Sequence, residues 1–72
     1  MGGAEATDTI AQAKRALQRG DAALADRQLR AFLTQHPHNA EAWRLLGMAQ
    51  NGQGDFVSAV ASLHRAIQGD PR

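Results

Sequence analysis

The chain has 72 residues, no cysteine and a formal net charge of +1. These bounds leave room for one domain and exclude a disulfide framework or a thiolate metal site; the interspersed acids also argue against a nucleic-acid binder. A domain this small buries only roughly 60–65% of the surface its unfolded chain exposes, so it depends on tight packing or on association. No apolar run approaches the ~20 residues that span a bilayer. Met1-Gly2-Gly3-Ala4-Glu5 lacks the basic and apolar regions of a signal peptide, and Ala6 stands where a myristoylation motif needs Ser or Thr. The expectation is a cytoplasmic protein with no membrane partner. Lys14 is the only lysine among many arginines and alanines, a composition that points to a bacterial source.

Residues 1–5 read as a flexible start. From Thr7 to Arg19 the apolar residues Ile10, Ala13 and Leu17 follow helical spacing, with Thr7, Asp8 or Thr9 as cap and Gln12 completing a capping box from Thr9. Gly20 ends this helix and Asp21 caps the next. The second helix, about Ala22 to Gln35, carries the stripe Ala22, Ala25, Leu29, Phe32 and Leu33, and Pro37 stops it. Asn39 caps a third helix, about Ala40 to Asn51, with Trp43, Leu46 and Gly47 on its inner face. Gly52 and Gly54 break it, and Asp55 caps a fourth. That helix has the cleanest amphipathic pattern in the chain: Phe56, Ala59, Val60, Leu63, Ala66 and Ile67. Gly69-Asp70-Pro71 ends it. No segment alternates with period two, and the short loops force antiparallel neighbours. The fold class is all-α, two stacked helix-turn-helix hairpins.

The hairpins are copies. Gly20-Asp21 returns as Gly54-Asp55, Ala25 as Ala59, Leu29 as Leu63 and Pro37 as Pro71, always 34 residues later. A fixed period of this length marks a stacked repeat. Trp43-Arg44-Leu45-Leu46-Gly47, then Ala59 and Leu63, then Pro71, resembles a tetratricopeptide repeat, with Gln50 in place of the signature tyrosine and Leu63 in place of the phenylalanine. The first copy keeps the register but has Thr9, Gln12 and Ala13 where Trp43, Leu46 and Gly47 stand. The division is residues 6–39 for repeat one and 40–72 for repeat two. Gly47 against Ala59, and Ala13 against Ala25, allow close helix approach. Trp43, Leu46, Phe56 and Leu63 fill the space beside them, and Trp43, Phe32 and Phe56 are all expected in the core.

Little in the chain offers chemistry. His36, Pro37 and His38 share a turn, His64 is far away, and no carboxylate completes a metal set; His36 is a candidate cap for the carbonyls ending the second helix. Ser62 and His64 lie on different helix faces. Gly52-Gln53-Gly54 follows a helix and is too short for a phosphate loop. No catalytic residue, cofactor or metal is expected. Arg15, Arg19, Arg27 and Arg30 are the only support for a nucleic-acid reading, and Asp21 and Asp26 lie among them.

The resemblance implies a non-catalytic protein–protein interaction module that binds a protein or peptide on the concave face formed by the first helix of each repeat. There the candidates are Thr7, Ile10, Ala11, Lys14, Leu17 and Gln18, and Glu41, Arg44, Leu45, Met48 and Asn51. Ile10, Lys14, Arg44, Leu45 and Met48 are the chosen set, suited to a mixed apolar and acidic peptide. The family's carboxylate clamp of Lys and Asn residues does not carry over, since Lys14 stands alone. A second surface is the last helix. Solenoids normally end in a polar helix, yet Val57, Val60 and Ala61 stand where the second helix has Ala23, Asp26 and Arg27. Val57, Val60, Leu63 and Ile67 are therefore expected to be exposed and to mediate self-association, or contact with more of a longer array. The alternative is a repeat segment of a larger bacterial enzyme, a glycosyltransferase or hydroxylase, that recruits substrate or partner proteins.

Overall fold

The Gly-Asp pair is repeated because each residue finishes one helix or starts the next. A computed structural model describes the backbone of residues 2–69 and the side chains of residues 8–68. It contains α1 (Gly2–Gln18), α2 (Ala22–Gln35), α3 (Ala40–Gly52) and α4 (Phe56–Gly69). Gly20 and Gly54 adopt φ of +80° and +82°, the left-handed region that side chains disfavour. Each closes its helix with a Schellman pair: Gly20 N–H to Leu17 O and Asp21 N–H to Ala16 O, then Gly54 N–H to Asn51 O and Asp55 N–H to Gln50 O. The aspartates then turn their side chains forward. Asp21 Oδ1 accepts from Leu24 N, and Asp55 Oδ1 from Ser58 N, both at 3.2 Å. Asn39 does the same for α3, accepting from Ala42 N at 2.9 Å.

Two local expectations are corrected. α1 is helical from Gly2, so Asp8 and Thr9 lie inside it rather than at a cap. Gln12 donates to Asp8 Oδ2 at 3.2 Å, a bond between successive turns instead of a capping box. At the end of α2 it is the backbone N–H of His36 that satisfies Phe32 O, while the imidazole stacks on the Phe32 ring at 4.5 Å between centroids. The side chain of Thr7 and the residues Asp70, Pro71 and Arg72 lie outside the described part.

Each helix packs on its chain neighbours, and α3 also touches α1, which sets α1 and α3 side by side. Among the described residues α2 and α4 do not meet, and α4 packs only on α3. The core runs through Ile10, Ala13, Ala16, Ala25, Leu29, Phe32, Leu33, Ala42, Leu45, Leu46 and Ala49. Small residues set the helix spacing. A Cβ on Gly47 would stand 2.8 Å from Leu63 Cγ and 3.3 Å from Ala59 O, so α3 and α4 meet closer than alanine allows.

Polar side chains then tie the stack. Gln50, in the signature tyrosine position, is buried and accepts from buried Ser62 Oγ at 2.6 Å, so the hairpin exchanges an aromatic for a hydrogen-bonded pair. Trp43 packs against the core and donates Nε1–H to Pro37 O at 2.8 Å, fixing α3 to the turn before it. The Arg65 guanidinium lies 5.1 Å above its ring, joining α4 to the same residue. Gln53 donates to Asp26 Oδ2 at 2.7 Å, across the repeat boundary. Phe32 is in the core as expected, but Phe56 is 63% exposed. Phe56 is the first residue of α4, and α4 has only α3 as a neighbour among the described residues.

Candidate functional site

Lys14, Leu17 and Gln18 of α1 and Arg44, Leu45 and Met48 of α3 line one open groove of about 300 Å³. They converge because residues three and four apart share a helix face, and the α1–α3 contact lays two such faces side by side. Leu45 is only 3% exposed and belongs to the core. Leu17 is half-buried and Met48 is exposed. The groove thus pairs an apolar base with a cation from each repeat.

Of the residues expected on this face, the structure brings Lys14, Arg44, Leu45 and Met48 together, with Leu17 and Gln18 beside them. Ile10 is not among them, because it is buried in the core. Ile10, Lys14 and Leu17 recur at spacings of four and three, so sequence alone puts them on one stripe; the crossing of α1 over its neighbours decides which end of the stripe is covered. Ala11 and Asn51 do not line the groove.

A carboxylate also sits between the cations. Glu41 Oε2 lies 2.8 Å from Lys14 Nζ and 3.7 Å from Arg44. All three side chains are about half exposed, so water screens both pairs. Glu41 was already a candidate on this face; its role as counter-ion to both cations depends on the α1–α3 contact.

Two other clefts were not visible in the sequence pattern. One, of about 340 Å³, is lined by Thr9, Gln12, Gln28, Ala31, Phe32, Gln35 and His36, and the buried Gln28 Oε1 there has no hydrogen-bond partner among the described residues. The other, of about 280 Å³, opens where α2 and α4 fail to meet and is floored by Trp43, Leu46 and Gln50. Among the described residues no three His, Asp or Glu side chains gather closely enough to hold a metal ion. None of the described helices is long and apolar enough to cross a membrane.

On α4 the expected surface is on the outside. Val57, Val60 and Ile67 are 83%, 68% and 69% exposed and Leu63 is 40% exposed, with Phe56 continuing the patch.

A family model described as Tetratricopeptide repeat matches residues 10–72. The chain belongs to the tetratricopeptide repeat family. A relative from Arabidopsis thaliana, Peroxisome biogenesis protein 5, is 43% identical over 51 residues, which is 71% of this chain and 7% of the relative. The chain thus spans a small fraction of that protein's length. Tetratricopeptide repeats are interaction modules and generally not catalytic, which fits the packing of Trp43, Gly47 and Ala59, the matched signature residues, into the fold itself. Protein or peptide partners follow for this chain at that level of description.

Proposed function

We propose that the chain is a non-catalytic module that binds an extended peptide in the groove between α1 and α3. The observation that carries this reading is the single groove lined by Lys14, Leu17, Gln18, Arg44, Leu45 and Met48. Its apolar base favours a ligand side chain such as Leu or Met, and its two cations favour an acidic residue beside it. Glu41 holds those cations until the ligand arrives, which selects against peptides lacking a carboxylate.

A display selection of short peptides on the 72-residue chain tests this reading. Selected peptides should combine apolar and acidic residues. Their binding should be lost on Met48→Glu and weakened on Lys14→Glu or Arg44→Glu, with far-UV circular dichroism unchanged. Retention of binding in all three variants would refute the groove.

Self-association is a second activity, favoured by a separate observation. Val57, Val60, Leu63, Ile67 and Phe56 form one exposed apolar patch on α4. A concentration-dependent mass in sedimentation equilibrium is expected.

A further inference from the structure

The face of α4 left open is the face by which the same helix of the first repeat is covered. Phe56, Val60, Leu63 and Ile67 stand 34 residues after Ala22, Asp26, Leu29 and Leu33. In α2 that stripe is covered: Leu29 is 0% and Leu33 6% exposed, and Asp26 takes a hydrogen bond from Gln53 beyond the end of α3. The α4 stripe is therefore equivalent to an interface that exists inside the molecule, and no second helix lies against it among the described residues.

The other end of the stack cannot supply that helix. Where α3 has fully buried Ala42 and Ala49, α1 has Asp8 and Arg15, both exposed. An α1 docked on another copy's α4 would press these charges onto Val60 and Leu63, at the cost of burying unpaired ions. Head-to-tail growth is disfavoured for that reason, and a closed two-fold arrangement remains.

The α4 stripe is suited to its own copy. Its spacings of four, three and four read the same in both directions, so two antiparallel α4 helices set Phe56 against Ile67 of the other copy and Val60 against Leu63. Nothing ionic on α4 opposes this. Arg65 is the only Arg, Lys, Asp or Glu among the described side chains of α4, and it is turned onto Trp43. We infer that two chains associate through an antiparallel α4–α4 contact with a two-fold axis between Val60 and Leu63. This rests on the self-association reading above and adds its geometry.

The absence of cysteine allows a direct test. Phe56→Cys and Ile67→Cys chains are each oxidised alone and as a mixture, and the unsubstituted chain is sedimented over a range of concentrations. The expected results are a mass rising to twice that of one chain, a disulfide-linked pair in the mixture, and none from either variant alone. Val60→Glu should return the mass to one chain while leaving far-UV circular dichroism unchanged. Cross-linking of Phe56→Cys with itself, or of neither combination in a chain that still doubles its mass, overturns the antiparallel geometry and leaves self-association standing. A single-chain mass at every concentration overturns both, and a doubled mass that survives Val60→Glu overturns the use of this face.

Discussion

Leu29 and Leu63 occupy the same position of successive repeats, and their truncation should have unequal effects. Leu29 is 0% exposed, whereas Leu63 packs against Gly47 of α3 on one side and is still 40% exposed. Leu→Ala removes three carbons, worth roughly 2.4 kcal/mol at about 0.8 each when fully buried. In the closed core at Leu29 a cavity term adds to this, giving a total loss of about 3–4 kcal/mol. At Leu63, scaling the transfer term by the buried fraction leaves about 1–1.5 kcal/mol, and water fills the space without a cavity. A 72-residue domain has roughly 4–11 kcal/mol of total stability, so Leu29→Ala should remove about a quarter of it or more. Urea unfolding followed by far-UV circular dichroism and by the fluorescence of Trp43, the single tryptophan, measures both. The protein should be dilute enough that its mass is that of one chain. Equal losses within about 0.5 kcal/mol would refute the inequivalence of the two faces.

Gly47→Ala should lower stability by about 1 kcal/mol in the same assay, because displacing Leu63 and spreading α3 from α4 outweighs the gain of about 1 kcal/mol in helix propensity; a stabilised variant would show the contact to be loose. Ser62→Ala leaves the buried Gln50 Oε1 without its donor and should cost about 1–3 kcal/mol, and adding Gln50→Leu should recover most of it, as read by thermal melts of the single and double variants. Glu41→Gln releases Lys14 and Arg44 from their shared carboxylate. It should tighten the binding of acidic groove peptides several-fold and steepen the salt dependence, both measurable by fluorescence anisotropy; an unchanged affinity would mean that Glu41 does not compete with ligand.

Much of this molecule is local in origin and was legible from the residues alone. Gly20 and Gly54 need a left-handed backbone, and Asp21, Asn39 and Asp55 offer an acceptor to amide groups three residues on, so the helix boundaries follow from short-range chemistry. The start of α1 was not legible in this way, because its expected caps are absorbed into a helix that continues to Gly2. The period of 34 residues and the apolar stripes dictated stacked antiparallel hairpins, and the contrast between α2 and α4 pointed to an open apolar end. Tertiary contact decided which residues of a stripe are covered. Ile10 and Lys14 lie one turn apart on α1, yet only Lys14 reaches the groove; Phe56 carries the most apolar side chain at its stripe position and is exposed. Glu41 becomes a counter-ion to two repeats only where α1 meets α3. A helix period states which side chains share a face, but burial belongs to pairs of helices, and whether a face has a partner is a property of the stack.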